Sequence, residues 1–317
     1  AVVRVIFGKN VGRSNETTPY KQACSEAASK WEKKKDKKYA TSKKELEANT
    51  TVLPMLALDY KKRFKSIEWP ALAQPKLNGV RCLAHKVDSS TIEYTSKEGK
   101  PWTTLGHLTP HLLKVIDVGE RLDGEIFTQK MVFEEIISAV KRQQESTLLL
   151  EYWIYDIVED KPFSDRTKTV RRAELEAPLI LVPTVPVKNE EAMLALHKDF
   201  VANGFEGSII RNMLGVYKAD HRSKNLQKYK DFKDAEYEII GAHDGVGKFE
   251  GAVTWICITK DGEEFDCCPK GDMEKRQGWW RDREKYFGKM ITVKYQNLTD
   301  DRQVPLFPVG LAIRDYE

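Results

Sequence analysis

The sequence predicts an α+β protein, with a domain on antiparallel sheets that is preceded by a short basic segment and followed by a small β-barrel. After Pro70, short strand-like runs alternate irregularly with helical stretches, whereas strict β-α-β alternation would predict a parallel sheet. From about Ala235 the pattern becomes mostly strand, which predicts the barrel. An excess of lysine near the N-terminus marks the leading segment.

The leading segment, residues 1–66, holds 16 Lys and Arg against 7 Asp and Glu, a net charge of +9, whereas the rest of the chain carries −5. From Pro19 to about Lys38, a weak apolar stripe of alanines and Trp31 predicts an amphipathic helix. Shorter helices are expected over KKEL and LALDYKKRF. The charge asymmetry indicates either a polyanionic partner or a solvated helix face, and charge alone does not separate the two.

Residues 67–234 are expected to form the mixed domain. Its clearest helix is predicted from Asn189 to Asn203, with Asn189 as the N-cap, acidic residues in the first turn and Gly204 at the end. β-Branched and aromatic residues between turn signals predict the strands. The strand-like runs are RCLAHKV, TIEYTS, ERLDGEIF, LLLEYWIYDIV and GSIIRN.

Residues 235–317 are expected to form the barrel. Short strands with Gly-rich turns and one helix, from about Asp272 to Phe287, fit a Greek-key barrel of the oligonucleotide-binding type, the OB-fold. The strand-like runs are EYEIIGAHDG, AVTWICITKDG, EEFDCCP, KMITVKYQ and LAIRDYE.

The composition of the chain argues against zinc sites, membrane-spanning helices and a secretory signal. The five cysteines form no CxxC pair and the six histidines have no metal-ligand spacing, so zinc sites are not expected. A metal would then bind carboxylates, which favours Mg²⁺ or Mn²⁺. No apolar run approaches the roughly 20 residues of a membrane-spanning helix. The first residues lack the apolar core of a secretory signal, so a cytoplasmic protein is expected.

Four of the Asn-Gly and Asp-Gly pairs of the chain are considered as motifs, and such pairs are the strongest short hairpin signal. Taken alone, each favours a plain turn over a functional motif. The pairs lie in KLNGVR, LDGE, HDG and KDG.

The order of several motifs indicates more than turns. KLNGVR (Lys76–Arg81) closely resembles the Lys-x-Asp-Gly-x-Arg signature of the covalent nucleotidyltransferases, which include DNA ligases, RNA ligases and mRNA-capping guanylyltransferases. SKEG, LDGE, IYDI, EGSIIR and KYK follow in the order and approximate spacing of the remaining motifs of that superfamily. The arginine of the first motif and the aromatic–Asp pair of IYDI look most like the ATP-dependent DNA ligases. The resemblance covers roughly residues 70–317.

The resemblance implies that Lys76 attacks the α-phosphate of ATP and forms a lysyl-AMP phosphoramidate. Because a free lysine has a pKa of about 10.4, burial, nearby cations or Mg²⁺ must favour its neutral amine. By the same resemblance, Glu125 and Glu206 would bind the metal, and Lys228 and Lys230 would hold the α-phosphate. Solvated strand ends are the alternative for these four residues.

The resemblance extends to four more residues around the nucleotide. Tyr155 would stack on adenine and Gln74 would read the exocyclic amine of the base. Arg81 would contact a phosphate of AMP or of the nick, and Lys97 stands where the family has a basic residue near nucleotide and DNA. Core packing is the alternative for Tyr155.

Two positions depart from the family pattern. Asn78 stands where Asp is usual, which keeps the hydrogen bonds of a turn but removes a negative charge beside the lysine. FPVGLAIRDYE resembles the final ligase motif, with Arg314 and Asp315 in place but Tyr316 where lysine is common. Arg314 is included among the nucleotide-site residues on this partial match.

The sequence therefore predicts a monomeric ATP-dependent DNA ligase of the small viral or bacterial type, using ATP and Mg²⁺ (or Mn²⁺). It would adenylate itself, transfer AMP to the 5′-phosphate of nicked duplex DNA and join the strands, with residues 1–66 contacting the DNA. An RNA ligase or a capping guanylyltransferase is one alternative. A non-catalytic nucleic-acid-binding protein on a decayed scaffold is another, and the intact Lys76, Glu125 and Glu206 argue against it.

Overall fold

The computed structural model confirms the α+β class. It describes residues 5–9, 12, 14–35, 39, 42, 51–171, 175–299 and 301–314. The helices are α1 (Pro19–Lys35), α2 (Tyr60–Arg63), α3 (Thr109–Val115), α4 (Phe133–Lys141), α5 (Phe163–Arg171), α6 (Glu190–Ala202) and α7 (Met273–Arg281).

Strands in the described residues form two five-stranded sheets and one closed barrel. The first sheet has the order β1-β10-β9-β2-β8, the second β4-β3-β5-β6-β7, and the barrel β11-β12-β13-β15-β14. The strands are β1 (Leu56–Asp59), β2 (Ala71–Lys76), β3 (Val80–Lys86), β4 (Ile92–Ser96), β5 (Arg121–Phe127), β6 (Glu151–Ile157), β7 (Leu179–Leu181), β8 (Val185–Val187), β9 (Gly207–Asn212), β10 (Arg222–Tyr229), β11 (Lys233–Asp244), β12 (Val253–Ile258), β13 (Glu264–Pro269), β14 (Met290–Tyr295) and β15 (Val309–Ile313).

The segment between Lys76 and Val80 carries the chain from the first sheet into the second. β2 ends at Lys76 and β3 begins at Val80, and these strands belong to different sheets. The Asn78-Gly79 pair is therefore not a hairpin turn, which the dipeptide alone favours. A Cβ on Gly79 would lie 2.4 Å from the carbonyl oxygen of Ile126, so glycine is required by this close approach to β5.

Of two Asp-Gly pairs that were also expected to form turns, one does and the other does not. Asp123-Gly124 lies inside β5, at a register shift against β6, so the expectation of a turn is wrong there. Asp261-Gly262 does lie in the turn between β12 and β13, and the φ of +87° at Gly262 is one that glycine adopts readily.

Near the N-terminus the structure confirms one helix and corrects another. α1 follows the predicted amphipathic helix up to Lys35, while residues 36–38 and KKEL lie outside the described residues. LALD was expected to be helical but forms β1, because pairing in parallel with β10 overrides the local pattern, and α2 begins only at Tyr60. We therefore propose a domain boundary ahead of β1 in place of the one expected near residue 66.

Helix caps stand where the sequence indicates them. The side chain of Asn189 accepts a hydrogen bond from the Ala192 N–H at 2.9 Å and starts α6. Asp272 caps α7 in the same way, but that helix ends at Arg281 and a 3₁₀ turn follows, so it is shorter than predicted. Among the described residues, none of the helices is long and apolar enough to cross a membrane.

The barrel confirms the expected OB-type domain. Side chains alternate along its strands, so that Ile239, Trp255, Cys257, Cys267 and Val293 point inward and are fully buried. A separate and larger core fills the space behind the second sheet. Most of the candidate site residues lie between the two sheets, and one of them, Tyr155, packs against the larger core.

Candidate active site

A cleft opens between the two sheets around Lys76. Its cavity of about 260 Å³ has apolar walls from β1, β9 and β10 and charged residues from both sheets. Seven predicted site residues line it, namely Gln74, Lys76, Arg81, Lys97, Glu125, Tyr155 and Lys228.

Glu206 and Lys230 join this group through the side chain of Lys76. One carboxylate oxygen of Glu206 accepts a hydrogen bond from Lys76 and the other accepts one from Lys230. The backbone adds to this arrangement, because the Glu206 N–H donates to the carbonyl oxygen of Lys76 at 2.9 Å. The glutamate side chain is 5% exposed, so its charge is balanced by the lysines rather than by water.

Burial lowers the pKa of Lys76, and the charge of Arg81 lowers it further, against an opposing effect of Glu125. Burial and the charge of Lys76 lower the pKa of Lys230 to about 8. The pKa of Lys228 is also lowered, chiefly by burial. These directions favour the neutral amine that a nucleophilic lysine needs.

Tyr155 lies between two arginines at the other end of the cleft. Its ring centroid is 5.0 Å from the guanidinium carbon of Arg81 and 5.6 Å from that of Arg211. The hydroxyl lies 3.2 Å from an Oε of Glu125. Burial raises the pKa of Glu125, while Lys76 and Arg81 oppose that rise.

Gln74 is held by hydrogen bonds at both ends of its amide. Its Oε1 accepts from Arg211 at 2.8 Å, and its Nε2 donates to the hydroxyl of Thr184 at 2.9 Å and to the carbonyl oxygen of Tyr155 at 3.2 Å. The amide thus fixes the wall of the cleft beside Tyr155. Its predicted contact with adenine stays a prediction.

Two buried aspartates hold the arginines of the site, and sequence reasoning assigned no role to either. Asp123 accepts from the Nε of Arg81 at 2.6 Å and from the hydroxyl of Tyr217 at 2.7 Å. Asp156 accepts from Arg211 at 2.6 Å and from Arg166 at 2.7 Å.

A signal for both aspartates was present in the sequence. Each stands inside a strand-like run, Asp123 in LDGE and Asp156 between the apolar and aromatic residues of IYDI. An acid in such a place is seldom fully buried without a cationic partner. The missing information was which arginines supply that partner, since Arg81 lies 42 residues from Asp123 and Arg211 lies 55 residues from Asp156.

Arg314 is not brought to the cleft. It follows β15 on the barrel, where its Nε donates to Glu236 at 3.0 Å and to the hydroxyl of Thr292 at 2.8 Å. Asp315 and Tyr316, the other residues of its motif, lie outside the described residues.

The carboxylates of the site fit one mode of Mg²⁺ binding. Among the described residues, no group of three or more His, Cys, Asp and Glu side chains could hold a metal ion. Mg²⁺ is commonly held by one or two carboxylates together with water and the phosphates of a substrate. Glu125 in the cleft and Glu206 beside Lys76 supply oxygen donors of that kind.

The fold and the site together define a covalent nucleotidyltransferase, with a lysine at a strand end between two sheets, a carboxylate against it and an OB-type barrel behind it. Comparison with protein families makes this specific. The ATP dependent DNA ligase domain matches residues 54–230, and the DNA ligase OB-like domain matches residues 244–314. The chain belongs to the ATP-dependent DNA ligase family.

Relatives and solved structures agree with this assignment. The DNA ligase of African swine fever virus (a Warthog/Namibia isolate) is 27% identical over 340 residues, which cover 99% of this chain and 80% of the relative. A solved structure named Pmar-Lig has a TM-score of 0.74 at 19% identity and covers 84% of this chain and 69% of its own. A solved Lig E DNA ligase has a TM-score of 0.68 at 20% identity and covers 83% of this chain and 99% of its own. At these identities the two structures show a shared fold.

Proposed function

We propose that this chain seals nicks in duplex DNA through a lysyl-AMP intermediate formed on Lys76. The observation that carries the proposal is the placement of Lys76 at the end of β2, in the cleft, against the buried carboxylate of Glu206. Its side chain is 20% exposed, so a substrate can reach the amine although burial lowers its pKa.

In the first step, the neutral amine of Lys76 attacks the α-phosphorus of ATP. A P–N bond forms, the bond to the bridging oxygen breaks, and pyrophosphate leaves. The amine loses a proton, and Glu206 is the hydrogen-bonded acceptor nearest to it in the structure. AMP then passes to the 5′-phosphate of the nick, and the 3′-hydroxyl displaces it to form the phosphodiester.

The remaining residues of the cleft would position the nucleotide. We propose that Tyr155 stacks on adenine beside Gln74, while Lys228 and Lys230 hold the α-phosphate and offset its charge in the transition state. Arg81 and Lys97 line the same cavity and would contact phosphates of the nucleotide or the DNA. Arg314 is part of this set only if the barrel moves, because it lies outside the cleft here.

We propose Mg²⁺ as the metal, with Mn²⁺ as a substitute, held by Glu125 and Glu206. When bound, the ion would neutralise phosphate charge and favour departure of pyrophosphate. Glu206 already accepts hydrogen bonds from two lysines, so its part would require one of them to turn toward the nucleotide. A monomeric state and a cytoplasmic location stay predictions.

Labelling with ATP tests the nucleophile. In the presence of Mg²⁺ and ATP labelled in the α-phosphate, the wild-type chain should retain AMP after denaturation. Lys76→Ala should retain none and keep its fold, because that side chain acts in chemistry rather than in packing. Lys198→Ala, which removes an exposed lysine from α6, should label like the wild type. Acid-labile label on Lys76→Ala would contradict the proposal.

Substrate choice is tested with nicked duplexes. Sealing of nicked DNA in preference to a duplex with RNA strands at the nick supports a DNA ligase. A chain that labels with AMP but joins only RNA ends would point instead to an RNA ligase.

A further inference from the structure

The loop after β14 brings one barrel residue into contact with the catalytic cluster. Gln296 directly follows β14, and its Nε2 donates to an oxygen of Glu206 at 3.0 Å. Its Oε1 accepts from the ammonium of Lys230 at 3.1 Å. A single side chain of the barrel therefore contacts both the acid and one of the lysines that surround Lys76.

The loop holds Gln296 firmly in place. The Gln296 N–H donates to the carbonyl oxygen of Leu306 at 3.2 Å, and the Leu306 N–H donates to the carbonyl oxygen of Asn297 at 2.8 Å. These two bonds clamp a hairpin at the edge of the barrel. The half-buried side chain of Gln296 thus reaches Glu206 from an anchored backbone.

The chemistry of the contact suits an amide. Toward Glu206 the side chain must donate a hydrogen bond, and toward Lys230 it must accept one. A carboxylate in this place would repel Glu206, and an ammonium would repel Lys230. Glutamine meets both needs without adding charge to a cluster that already holds two lysines and one glutamate.

The consequence concerns the orientation of Glu206. One of its oxygens accepts from Lys230 and Gln296, which leaves the other oxygen directed at Lys76. Without Gln296, Glu206 has one restraint fewer, and Lys230 keeps its bond to Glu206 but loses its second acceptor. The barrel therefore helps to set how Glu206 meets Lys76.

We propose that Gln296 is a positioning residue for self-adenylation, holding Glu206 against Lys76 and orienting Lys230 while the barrel is closed on the cleft. This inference rests on the proposed function of Lys76. It predicts that Gln296 affects the formation of lysyl-AMP and does not affect the sealing of the adenylated nick.

The cavity between the barrel and the body is too small for DNA, so the contacts of Gln296 can form during self-adenylation but not during nick sealing. The cavity between the barrel and the catalytic body, lined by Asn78, Glu206 and Gln296 among others, is about 160 Å³. That volume is below the roughly 300–1,000 Å³ of a small-molecule site, so a DNA backbone does not fit there. DNA that approaches Lys76 from this side must displace the barrel, which breaks the contacts of Gln296 before the nick is sealed.

The test compares two reactions of the full chain carrying Gln296→Ala. One is single-turnover formation of lysyl-AMP at saturating labelled ATP, and the other is sealing of a nick already adenylated at its 5′-phosphate, without ATP. We expect the first rate to fall about tenfold, equivalent to about 1.4 kcal/mol in the barrier. The second rate should stay within about twofold, which also reports that the variant is folded.

Two further variants sharpen the comparison. Gln296→Glu keeps the size of the side chain and can still accept from Lys230, but it cannot donate to Glu206, so it should slow lysyl-AMP formation at least as much. Asn297→Ala is the matched control. It alters the next residue of the same loop, whose side chain accepts from Lys233 at 3.2 Å, and it should leave both rates within about twofold.

Three outcomes would overturn the inference. They are an unchanged rate of lysyl-AMP formation in Gln296→Ala, an equal loss in both reactions, and an equal effect of Asn297→Ala. Failure of the proposed function looks different, because the wild-type chain itself would then form no lysyl-AMP. Wild-type labelling with an unimpaired Gln296→Ala refutes only the role of Gln296.

Discussion

Lys76 and Lys230 lie in the cleft against a buried carboxylate, whereas Lys33, Lys34 and Lys35 end a helix in which none of the described side chains is buried. Burial lowers the pKa of both cleft lysines. Exposed lysines act instead through their summed charge, which salt screens. Single substitutions should therefore have large and specific effects in the cleft, and small and additive effects on α1.

The largest effect is expected from Asp156→Ala, which removes a buried charged partner near the cleft. This change leaves Arg166 and Arg211, whose side chains are 0% and 3% exposed, without their carboxylate. Breaking a buried ion pair in this way costs about 3–5 kcal/mol, because a charge stays buried without a partner. The free energy of unfolding, measured in urea, should fall by that amount.

An exposed pair in α5 supplies the matched control for Asp156→Ala. Asp165 pairs with Lys168 at 2.9 Å, but both side chains are about half exposed or more. Asp165→Ala should cost less than about 1 kcal/mol. Equal losses for the two variants would mean that burial does not distinguish these aspartates.

The pH profile of self-adenylation tests the electrostatics of the cleft. Because the proposed nucleophile is the neutral amine of Lys76, the rate should rise with pH until that amine is fully deprotonated. The charge of Lys76 lowers the pKa of Lys230. Because repulsion between like charges is mutual, we expect Lys230 to lower the pKa of Lys76 in return, and Lys230→Gln removes that repulsion. The pKa of Lys76 then rises, the profile moves to higher pH, and the rate at neutral pH falls.

The position of the profile separates this effect from a lost phosphate contact, which would lower the rate at every pH alike. Lys198→Gln on the exposed face of α6 should leave the profile where it is. A profile that stays in place in Lys230→Gln would show that the two lysines do not interact.

Substitutions of Asn78 test whether the segment that connects the two sheets helps to place Lys76. Asn78→Asp restores the residue usual in the family, and we expect self-adenylation to stay within about tenfold, or about 1.4 kcal/mol in the barrier. Asn78→Leu should cost far more, because it places a branched apolar side chain in the polar cavity that Asn78 lines beside Glu206 and Gln296. Equal rates in all three proteins would show that the position has no part in placing Lys76.

The sequence predicts the strands of the second sheet from β3 to β6, β9 and the barrel strands, because β-branched and aromatic residues are frequent in them. It gives no strand-like run for β2 or for most of β10, whose residues are largely small or polar. It fails at Leu56–Asp59, where parallel pairing with a strand more than 150 residues away decides the structure. The Asn78-Gly79 pair shows a different limit. A dipeptide can indicate that the chain bends, but not that it passes from one sheet to another.

The same limit applies to the site. Motif order singles out Lys76, Glu125 and Glu206, because they stand in segments that resemble the motifs of the family. Gln296 is outside every motif that was recognised, and its contact with Glu206 depends on how the barrel lies against the body. Such a contact between domains leaves no local pattern in the sequence.

Removal of residues 1–50 tests the role of the exposed lysines of α1. We propose that this segment contacts duplex DNA, since residues 1–66 carry +9 and the rest of the chain −5. The cut keeps β1, which begins at Leu56, and so spares the first sheet. Each phosphate that lysine or arginine neutralises should steepen the fall of log affinity with log salt by about 0.9.

We expect the shortened chain to bind nicked duplex more weakly and with a salt dependence flatter by several units. Self-adenylation should be nearly unchanged, because the proposed ATP site is the cleft around Lys76 and α1 buries no described side chain. Loss of both activities together would show that the segment supports folding instead. If the shortened chain keeps the full salt dependence, the lysines of α1 form only a solvated helix face. Binding measured from low to moderate salt, beside labelling by ATP, therefore separates a DNA contact from both alternatives.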